Sequence, residues 1–430
     1  MSIFTSISEG RGWAMILKRY GAGIILTFIL LFLLTAMLLL SFYEGSFNGG
    51  VFLWGVILAA VIAVQYNVLS AVFRHIDRIT LLIADFLCVI GFVMLFRMNP
   101  EAGERQFIWI LAGNAAMTVA LIVIKRARDF GKMNWAFMVL GILLLGVTLV
   151  FSNMQLGANN WLQIGPFRFQ PSEFVKVLFL IVTAYFLSTR ARKRDLWPYF
   201  LFTIACVGAL VLSTDLGAAL LFAGTFLIVF YVGTGSLGIT LLSVGAFAGG
   251  AFASYFMFSH VRTRVEIWRD PWAAYEGKGY QIVQGLLAIA SGGVLGTGLG
   301  NGMPTSIPVH ETDYIFAAIA EEFGLIAAVA LIAFYLVFVV RGILIAMDAR
   351  ARFDKLLVFG STCMLALQSF IIIGGVINLI PLTGITMPFV SLGGSSMISS
   401  MMLLGIIEGV AQKNGELDEA ELREMGGGVE

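Results

Sequence analysis

The chain has 430 residues, of which 59% are hydrophobic and 12% are charged. Ordinary globular proteins contain about 45–50% apolar and about 25% charged residues, so this composition excludes a water-soluble protein and indicates an integral membrane protein. The 27 basic residues nearly balance the 26 acidic ones, which argues against nucleic acid as a partner.

Twelve stretches are apolar and long enough to cross a bilayer core of about 30 Å, which needs about 20 residues per helix. They predict an all-α, multi-pass membrane protein with about twelve transmembrane helices, of which the first is a retained anchor rather than a cleaved signal. The predicted spans are residues 20–42, 50–73, 79–96, 107–124, 134–151, 172–188, 196–212, 216–232, 237–258, 314–340, 356–380 and 391–410.

The positions of lysine and arginine predict the orientation. If the amino terminus is cytoplasmic, 19 of the 27 basic residues lie on the inner side and 8 on the outer side. Because basic residues favour cytoplasmic loops, we expect both termini in the cytoplasm.

The predicted spans and the polar carboxyl-terminal segment divide the chain into three parts. Residues 1–78 form an amino-terminal cytoplasmic segment with two spans, and residues 79–411 form a membrane core with a large outer loop at 260–313. Residues 412–430 are polar and acidic, which predicts a solvated cytoplasmic tail. Within the outer loop, residues 281–289 predict an amphipathic interfacial helix. The glycine-rich stretch 292–302 predicts irregular backbone that is buried in protein or lines a wet cavity.

Six basic residues are expected on the outer face, although basic residues generally favour the cytoplasmic side. An anionic ligand such as a phosphate or carboxylate would explain them, and so would simple solvation of a long loop. They are Arg168, Lys176, Arg262, Arg264, Arg269 and Lys278.

Carboxylates next to membrane spans are costly and need a partner or a function. Asp215 precedes a span, and Asp313 precedes another that contains Glu321 two turns later. Glu173 and Lys176 are three residues apart, so a local ion pair and a substrate contact both remain open. For Asp313 the alternatives are a helix amino-terminal carboxylate and a functional acid.

Five strings in this order resemble the SEDS family (shape, elongation, division and sporulation), which includes RodA and FtsW. They are GANNWLQIGPFRFQPSEFVK, TDLGAALL, GYQIVQGLLAIASGGVLGTGLG, HETDYIFAAIAEEFG and PLTGITMPFVSLGGSS. The resemblance covers roughly residues 79–409. It implies a peptidoglycan glycosyltransferase that polymerises lipid II on the outer face of the bacterial cytoplasmic membrane, together with a class B penicillin-binding transpeptidase and other cell-shape or division proteins.

The resemblance also implies roles for particular residues. Asp313 corresponds to the family's essential aspartate and is the expected general base, and Trp161 corresponds to a functionally sensitive tryptophan. The further candidate substrate contacts are Arg168, Glu173, Lys176, Asp215, Arg262, Arg264, Gln281, Glu321, Thr383, Ser391, Ser395 and Ser396.

No metal site is predicted, because the sequence contains no HExxH or paired CxxC motif. A divalent cation, Mg²⁺ or Mn²⁺, that bridges Asp313 or Glu321 and a pyrophosphate is compatible with these residues, but no motif demands it. No other cofactor is expected.

The sequence departs from the family pattern in three places. Thr214 replaces the proline before Asp215, and His310 and Glu311 exchange the usual order of acid and histidine, which puts any role for those two in doubt. Family members usually have ten spans, so the resemblance does not explain the first two spans here.

Two functions of other classes remain open. A flippase or transporter of a lipid-linked precursor fits the composition equally well, with Glu321 and Asp85 as relay residues. A non-catalytic scaffold is the third interpretation. The polar motifs gather on one predicted face, which favours chemistry at that surface over alternating access.

Overall fold

The structure is a computed structural model that describes residues 2–43, 45–126, 133–155, 158–164, 167–189 and 193–426. Within them, helices account for most of the chain. The helices are α1 (Ser2–Ser41), α2 (Gly49–Val72), α3 (Arg78–Met98), α4 (Pro100–Arg126), α5 (Asn134–Phe151), α6 (Pro171–Thr189), α7 (Trp197–Leu212), α8 (Leu216–Thr234), α9 (Leu237–Met257), α10 (Ser259–Arg269), α11 (Tyr280–Gly292), α12 (Ile315–Asp348), α13 (Arg352–Val376) and α14 (Gly394–Gly426).

Eleven helices of the described chain are long and apolar enough to cross a membrane. The remaining predicted span, residues 196–212, corresponds to α7, which is apolar but has 16 residues. The prediction of a helical, multi-pass membrane protein is therefore confirmed.

Three helices form the centre of the bundle. In α3, α13 and α14, between 78% and 89% of the most apolar stretch of the helix is buried inside the protein. In α9 only 6% of this stretch is buried, so α9 lies at the periphery. Helix α14 packs closely on α4 at Gly405 and Gly409, where an added Cβ would meet Ala120 and Ile124 at 3.0 and 2.9 Å. Small residues of this kind allow helix backbones to approach each other in membrane proteins.

The loop between α5 and α6 contains a small antiparallel sheet that the all-α prediction did not include. Its strands are β1 (Asn153–Gln155), β2 (Ala158–Ile164) and β3 (Phe167–Phe169), in that order. Gln163 pairs with Arg168 across β2 and β3. The sheet gives Trp161 and Arg168 fixed positions on a short loop.

The large outer loop contains two helices. Helix α11 confirms the amphipathic helix predicted at 281–289, and its buried face, which includes Ile282, Val283 and Ala288, packs against α12. Helix α10 was not predicted. Charged residues occupy every second position along residues 261–267, which is a strand-like pattern and does not indicate a helix.

Helix α12 is broken at Gly324, whose φ of 81° and ψ of 176° are not helical. The glycine-rich stretch lies along this break. The amides of Leu325 and Ile326 donate to the carbonyls of Gly293 and Val294 at 2.9 and 3.3 Å. The backbone groups that the break releases therefore find partners within the protein, as the prediction of buried irregular backbone requires.

The predicted carboxyl-terminal tail is helical, and most of residues 416–425 are exposed. Helix α14 continues without interruption to Gly426, and residues 427–430 of the predicted tail lie outside the described residues. Its acidic side chains pair with basic groups of the bundle. Glu416 contacts Lys125 at 2.5 Å and Glu419 contacts His75 at 3.0 Å. Ion pairs along one helical face therefore attach this polar segment to the bundle.

The break in α12 predicts that alanine destabilises the protein more at Gly324 than at a glycine inside a regular helix. In Gly324→Ala, the new Cβ meets backbone atoms of Val294 and Leu295 at 2.5–2.6 Å and the residue keeps a positive φ, so we expect a loss of about 2 kcal/mol of stability. Gly249→Ala in α9 is the control, because its Cβ meets nothing within 4 Å. Thermal unfolding in detergent should show a clear decrease for Gly324→Ala alone. Equal unfolding temperatures would contradict the described break.

Candidate active site

The amino ends of α6, α8, α12 and α14 meet at one end of the bundle and surround a cavity of about 890 Å³. This volume lies in the range of small-molecule sites. Helix amino ends carry partial positive charge, which favours an anionic ligand. Nine of the predicted site residues line the cavity: Trp161, Arg168, Glu173, Lys176, Asp215, Arg264, Gln281, Thr383 and Asp313.

Asp313 stands at the entrance of α12. Its amide donates to the carbonyl of Val309 at 3.2 Å, and Val309 has a φ of 57°. Burial raises the pKa of the Asp313 carboxyl to about 6, although the Thr312 hydroxyl and the nearby Arg264 charge both oppose this rise. An acid with this pKa is ionised at neutral pH and can still accept a proton, as a general base must.

Arg264 projects from α10 into the same cavity. Its guanidinium donates to the carbonyl of Thr383 at 3.1 Å. Burial lowers the pKa of Arg264, while Asp215 and Asp313 favour its charged form. Arginine stays protonated in proteins, so the cavity has a fixed positive charge that interacts electrostatically with Asp313.

Hydrogen bonds attach the 381–396 loop to the residues around Asp313. The Ser391 hydroxyl donates to the carbonyl of Thr312 at 2.5 Å and accepts from the amide of Met387 at 2.9 Å. The amide of Leu392 donates to the carbonyl of Glu311 at 2.9 Å. The motif that precedes α14 therefore holds the backbone next to Asp313 in place.

Glu173 and Lys176 form the local ion pair that the i,i+3 spacing allowed, with 2.6 Å between the carboxylate and Nζ. Lys176 also donates to Gln368 at 2.9 Å, and Ser399 donates to Glu173 at 2.5 Å. Both charges thus have buried partners at the floor of the cavity.

Asp215 caps the amino end of α8, where its carboxylate accepts from the amide of Ala218 at 3.1 Å. It also accepts from the side-chain amides of Asn160 at 3.0 Å and Gln170 at 2.9 Å. Burial raises the pKa of Asp215, and these hydrogen bonds oppose the rise. The aspartate fixes the β2–α6 loop to the bundle.

Five predicted contact residues lie outside the cavity lining. Arg262 is on another face of α10, 5.7 Å from the Tyr255 ring. Glu321 accepts from the amide of Met303 at 3.0 Å, beside the break in α12. Ser391, Ser395 and Ser396 use their hydroxyls within the protein: Ser395 accepts from the amide of Gln170, and Ser396 accepts from Thr386. Spacing along the chain could not reveal which way these side chains face.

The prediction also missed lining residues. Arg105 and Trp109 contribute to the cavity wall, and Gln368 lies at its floor. Lys278, one of the six basic residues expected on the outer face, lines the cavity as well. Gln368 is a polar residue within an apolar span, which is a recognised signal of function in membrane helices.

His310 and Glu311 bind other parts of the chain. A ring nitrogen of His310 lies 2.8 Å from the carbonyl of Ile307, and Glu311 accepts from the side-chain amide of Asn99 at 3.0 Å. Across the described ranges, no group of three or more histidine, cysteine or acidic side chains is arranged to hold a metal ion.

The fold and the cavity define a multi-pass membrane protein whose charged site lies at one end of the helical bundle and includes a carboxylate next to fixed cations. The FtsW/RodA/SpoVE family, described as cell cycle proteins, matches residues 77–416. The chain belongs to this family, as the five motifs indicate.

Several relatives support this assignment. The peptidoglycan glycosyltransferase RodA of Mycobacterium tuberculosis is 37% identical over an alignment of 362 positions that covers 77% of this chain and 77% of the relative. The probable peptidoglycan glycosyltransferase FtsW of Geobacter metallireducens is 31% identical over 78% of this chain and 95% of the relative.

Solved structures agree with the sequence relatives. A chain from a peptidoglycan synthase complex that coordinates polymerisation and crosslinking is similar with a TM-score of 0.68 and 26% identity, over 79% of this chain and 98% of that one. The rod shape determining protein RodA of Thermus thermophilus is similar with a TM-score of 0.60 and 25% identity, over 79% and 97%.

The Glu173–Lys176 pair predicts non-additive effects on stability. Glu173→Gln or Lys176→Met alone leaves a charge in a buried place, where Lys176 is 1% exposed, so each should cost about 3 kcal/mol. The double variant removes both charges and should cost less than the sum of the singles. Thermal unfolding of the four proteins measures this coupling, and strictly additive decreases would show that the pair has no energetic role.

Proposed function

We propose that this protein is a peptidoglycan glycosyltransferase that polymerises lipid II into glycan strands. Membership of the FtsW/RodA/SpoVE family supports this, as do relatives named peptidoglycan glycosyltransferase that align over about three quarters or more of this chain. The observation that carries the mechanism is the position of Asp313 beside Arg264 in a cavity lined by further cations.

Asp313 acts as the general base in this mechanism. Its carboxylate takes the proton from the acceptor sugar hydroxyl while that oxygen forms a bond with the anomeric carbon of the donor. The bond between this carbon and the pyrophosphate breaks, and the lipid pyrophosphate leaves with the electron pair. The cavity would hold both sugars so that the attacking and leaving oxygens are positioned for this exchange.

Cations in the wall stabilise the leaving group. Arg264 contributes a guanidinium that stays charged, and Arg105, Arg168 and Lys278 line the same cavity. Positive groups aimed at developing negative charge lower the barrier most when they are held in place beforehand. The hydrogen bond from Arg264 to Thr383 supplies such positioning.

A divalent cation that enters with the pyrophosphate would find Asp313 as its carboxylate ligand. Of the other two cavity carboxylates, Glu173 is paired with Lys176 and Asp215 caps α8. A Mg²⁺ or Mn²⁺ ion bound there would neutralise pyrophosphate charge. Glu321 lies outside the cavity and does not belong to this ligand set.

In this proposal, the end of the bundle that contains the cavity lies on the outer side of the membrane, and both termini lie in the cytoplasm. The basic residues support this orientation, because 19 of 27 fall on the opposite side when the spans alternate. The site then faces the side of the cytoplasmic membrane on which glycan strands are assembled.

A class B penicillin-binding protein is the proposed partner. The support is the structural likeness to a chain of a synthase complex that coordinates polymerisation with crosslinking. The peripheral position of α9 leaves a large apolar helical surface exposed to the membrane.

The location of the charged cavity favours this function over a flippase. Most of its lining residues come from helix amino ends, loops and outer-loop helices at one end of the bundle, with Gln368 of α13 at its floor. Alternating access requires a substrate site near the bilayer midplane. Formation of polymer by the purified protein would distinguish the enzyme from both a flippase and a scaffold.

Asp313→Asn tests the base assignment. Purified protein, its partner transpeptidase and labelled lipid II should yield glycan polymer, and the variant should lose at least about 100-fold in rate because the amide cannot accept the proton. Glu266→Gln on α10 is the control, since Glu266 is an exposed acid of the same loop outside this cavity. Undiminished polymer from a well-folded Asp313→Asn protein would overturn the assignment.

The pKa of Asp313 predicts a pH dependence. Protonation inactivates a base with a pKa of about 6, so the rate should be nearly constant above pH 7 and fall to roughly a tenth of this plateau at pH 5. Initial rates across this range, with unfolding monitored in parallel, provide the measurement. A flat profile down to pH 5 would contradict a base with this pKa.

A further inference from the structure

The helical hairpin formed by α1 and α2 lies outside the matched family region, which begins at residue 77. It nevertheless contacts the broken helix of the core. The Phe32 ring of α1 lies 6.2 Å from the Phe323 ring, next to the break at Gly324, and 5.7 Å from the Phe86 ring of α3. The hairpin is therefore packed against the segment that continues from Asp313.

A second contact lies at the turn of the hairpin. The ring of Tyr43 faces the guanidinium of Arg97 at 4.4 Å. Arg97 is at the carboxyl end of α3 and donates to the carbonyls of Gly300 and Gly302 at 2.7 and 3.2 Å. It also forms an ion pair with Glu322 at 3.2 Å, in which both side chains are at least nine-tenths buried.

The glycine-rich stretch is thus fixed from two sides. Glu322 accepts from the amide of Gly300 at 3.1 Å, and Glu321 accepts from the amide of Met303 at 3.0 Å. Gly300 has a φ of 93°, and a Cβ at this position would meet the Tyr43 ring at 2.9 Å. Tyr43 therefore covers the place where Arg97 and the glycine backbone meet.

The end of α3 also binds the segment that follows the glycine-rich stretch in the chain. Asn99 donates to Glu311 at 3.0 Å, two residues before Asp313. Arg97 and Asn99 together fix Gly300 and Glu311, and the chain between these points leads directly to the aspartate. Displacement of Arg97 would release the first of these two attachments.

We propose that the amino-terminal hairpin positions Asp313, with Tyr43 as the positioning residue that holds Arg97 against the glycine-rich stretch. The ring restricts the guanidinium to one face and shields its bonds to the Gly300 and Gly302 carbonyls from water. Tyr43 does not touch the cavity and acts through Arg97. The expected effect of Tyr43 on the reaction rate rests on the proposed function, whereas its expected effect on the backbone of the glycine-rich stretch does not.

The test compares Tyr43→Ala, Tyr43→Phe and Phe28→Ala in the full-length protein. Phe28 is a control on the same hairpin, with a side chain that is 66% exposed. Amide hydrogen exchange of residues 298–303 and 313–319 reports positioning directly. Polymer formation from lipid II, with kcat and KM determined separately, reports its consequence.

In Tyr43→Ala, the amides of residues 298–303 and 313–319 should exchange about two- to fivefold faster, and kcat should fall by a similar factor with KM little changed. Tyr43→Phe keeps the ring face and should behave like the unmodified protein, as should Phe28→Ala. Unchanged exchange in Tyr43→Ala would overturn the proposal. So would equal losses in Tyr43→Ala and Phe28→Ala, which would indicate general loosening of the hairpin.

Failure of the proposed function has a different signature. If the unmodified protein forms no polymer while exchange at residues 298–303 still increases in Tyr43→Ala alone, the positioning role is supported and the assigned reaction is wrong. If polymer forms normally in all variants and exchange is unaffected, the reaction stands and the positioning role of Tyr43 is overturned.

Discussion

The break of α12 at Gly324 is the constraint on which the site depends. Membrane lipid offers no partners for free backbone groups, so the break requires the glycine-rich stretch to lie alongside and pair with it. Leu325 and Ile326 donate to that stretch, and the carboxylates of Glu321 and Glu322 accept from its amides. This arrangement fixes the short first part of α12, residues 315–323, and so determines where Asp313 enters the cavity.

The charges at this end of the bundle have separate roles. Glu322 with Arg97 is a buried ion pair between α12 and α3, and Glu173 with Lys176 is one within α6, while Asp215 caps α8. Buried pairs of this kind give little net stability but penalise alternative arrangements. Burial raises the pKa of both Asp215 and Asp313, but Asp215 accepts the hydrogen bonds that cap α8 and hold the β2–α6 loop, whereas Asp313 lies beside Arg264 in the cavity wall. This difference supports the proposed assignment of Asp313 as the reactive group.

The sequence predicted the spans and most of the charged residues in the cavity wall, because hydrophobic runs and charges next to them have direct physical causes. It could not predict the direction of individual side chains. Arg262 and Arg264 are two residues apart on α10 and face different ways, and Glu321 serves the break rather than the cavity. The small sheet was missed since its strands of three to seven residues lack a clear alternating pattern. Gln368 was missed because one polar residue within a span does not reveal its partners.

The proposed function requires that the cavity bind a lipid-linked pyrophosphate through Arg264. Equilibrium binding of labelled lipid II to Arg264→Gln and Arg262→Gln tests this requirement, since the two changes remove the same charge from one helix and, of the two, only Arg264 lines the described cavity. We expect binding at least about tenfold weaker for Arg264→Gln and within about twofold of the unmodified protein for Arg262→Gln. Equal affinities for the two variants would contradict it.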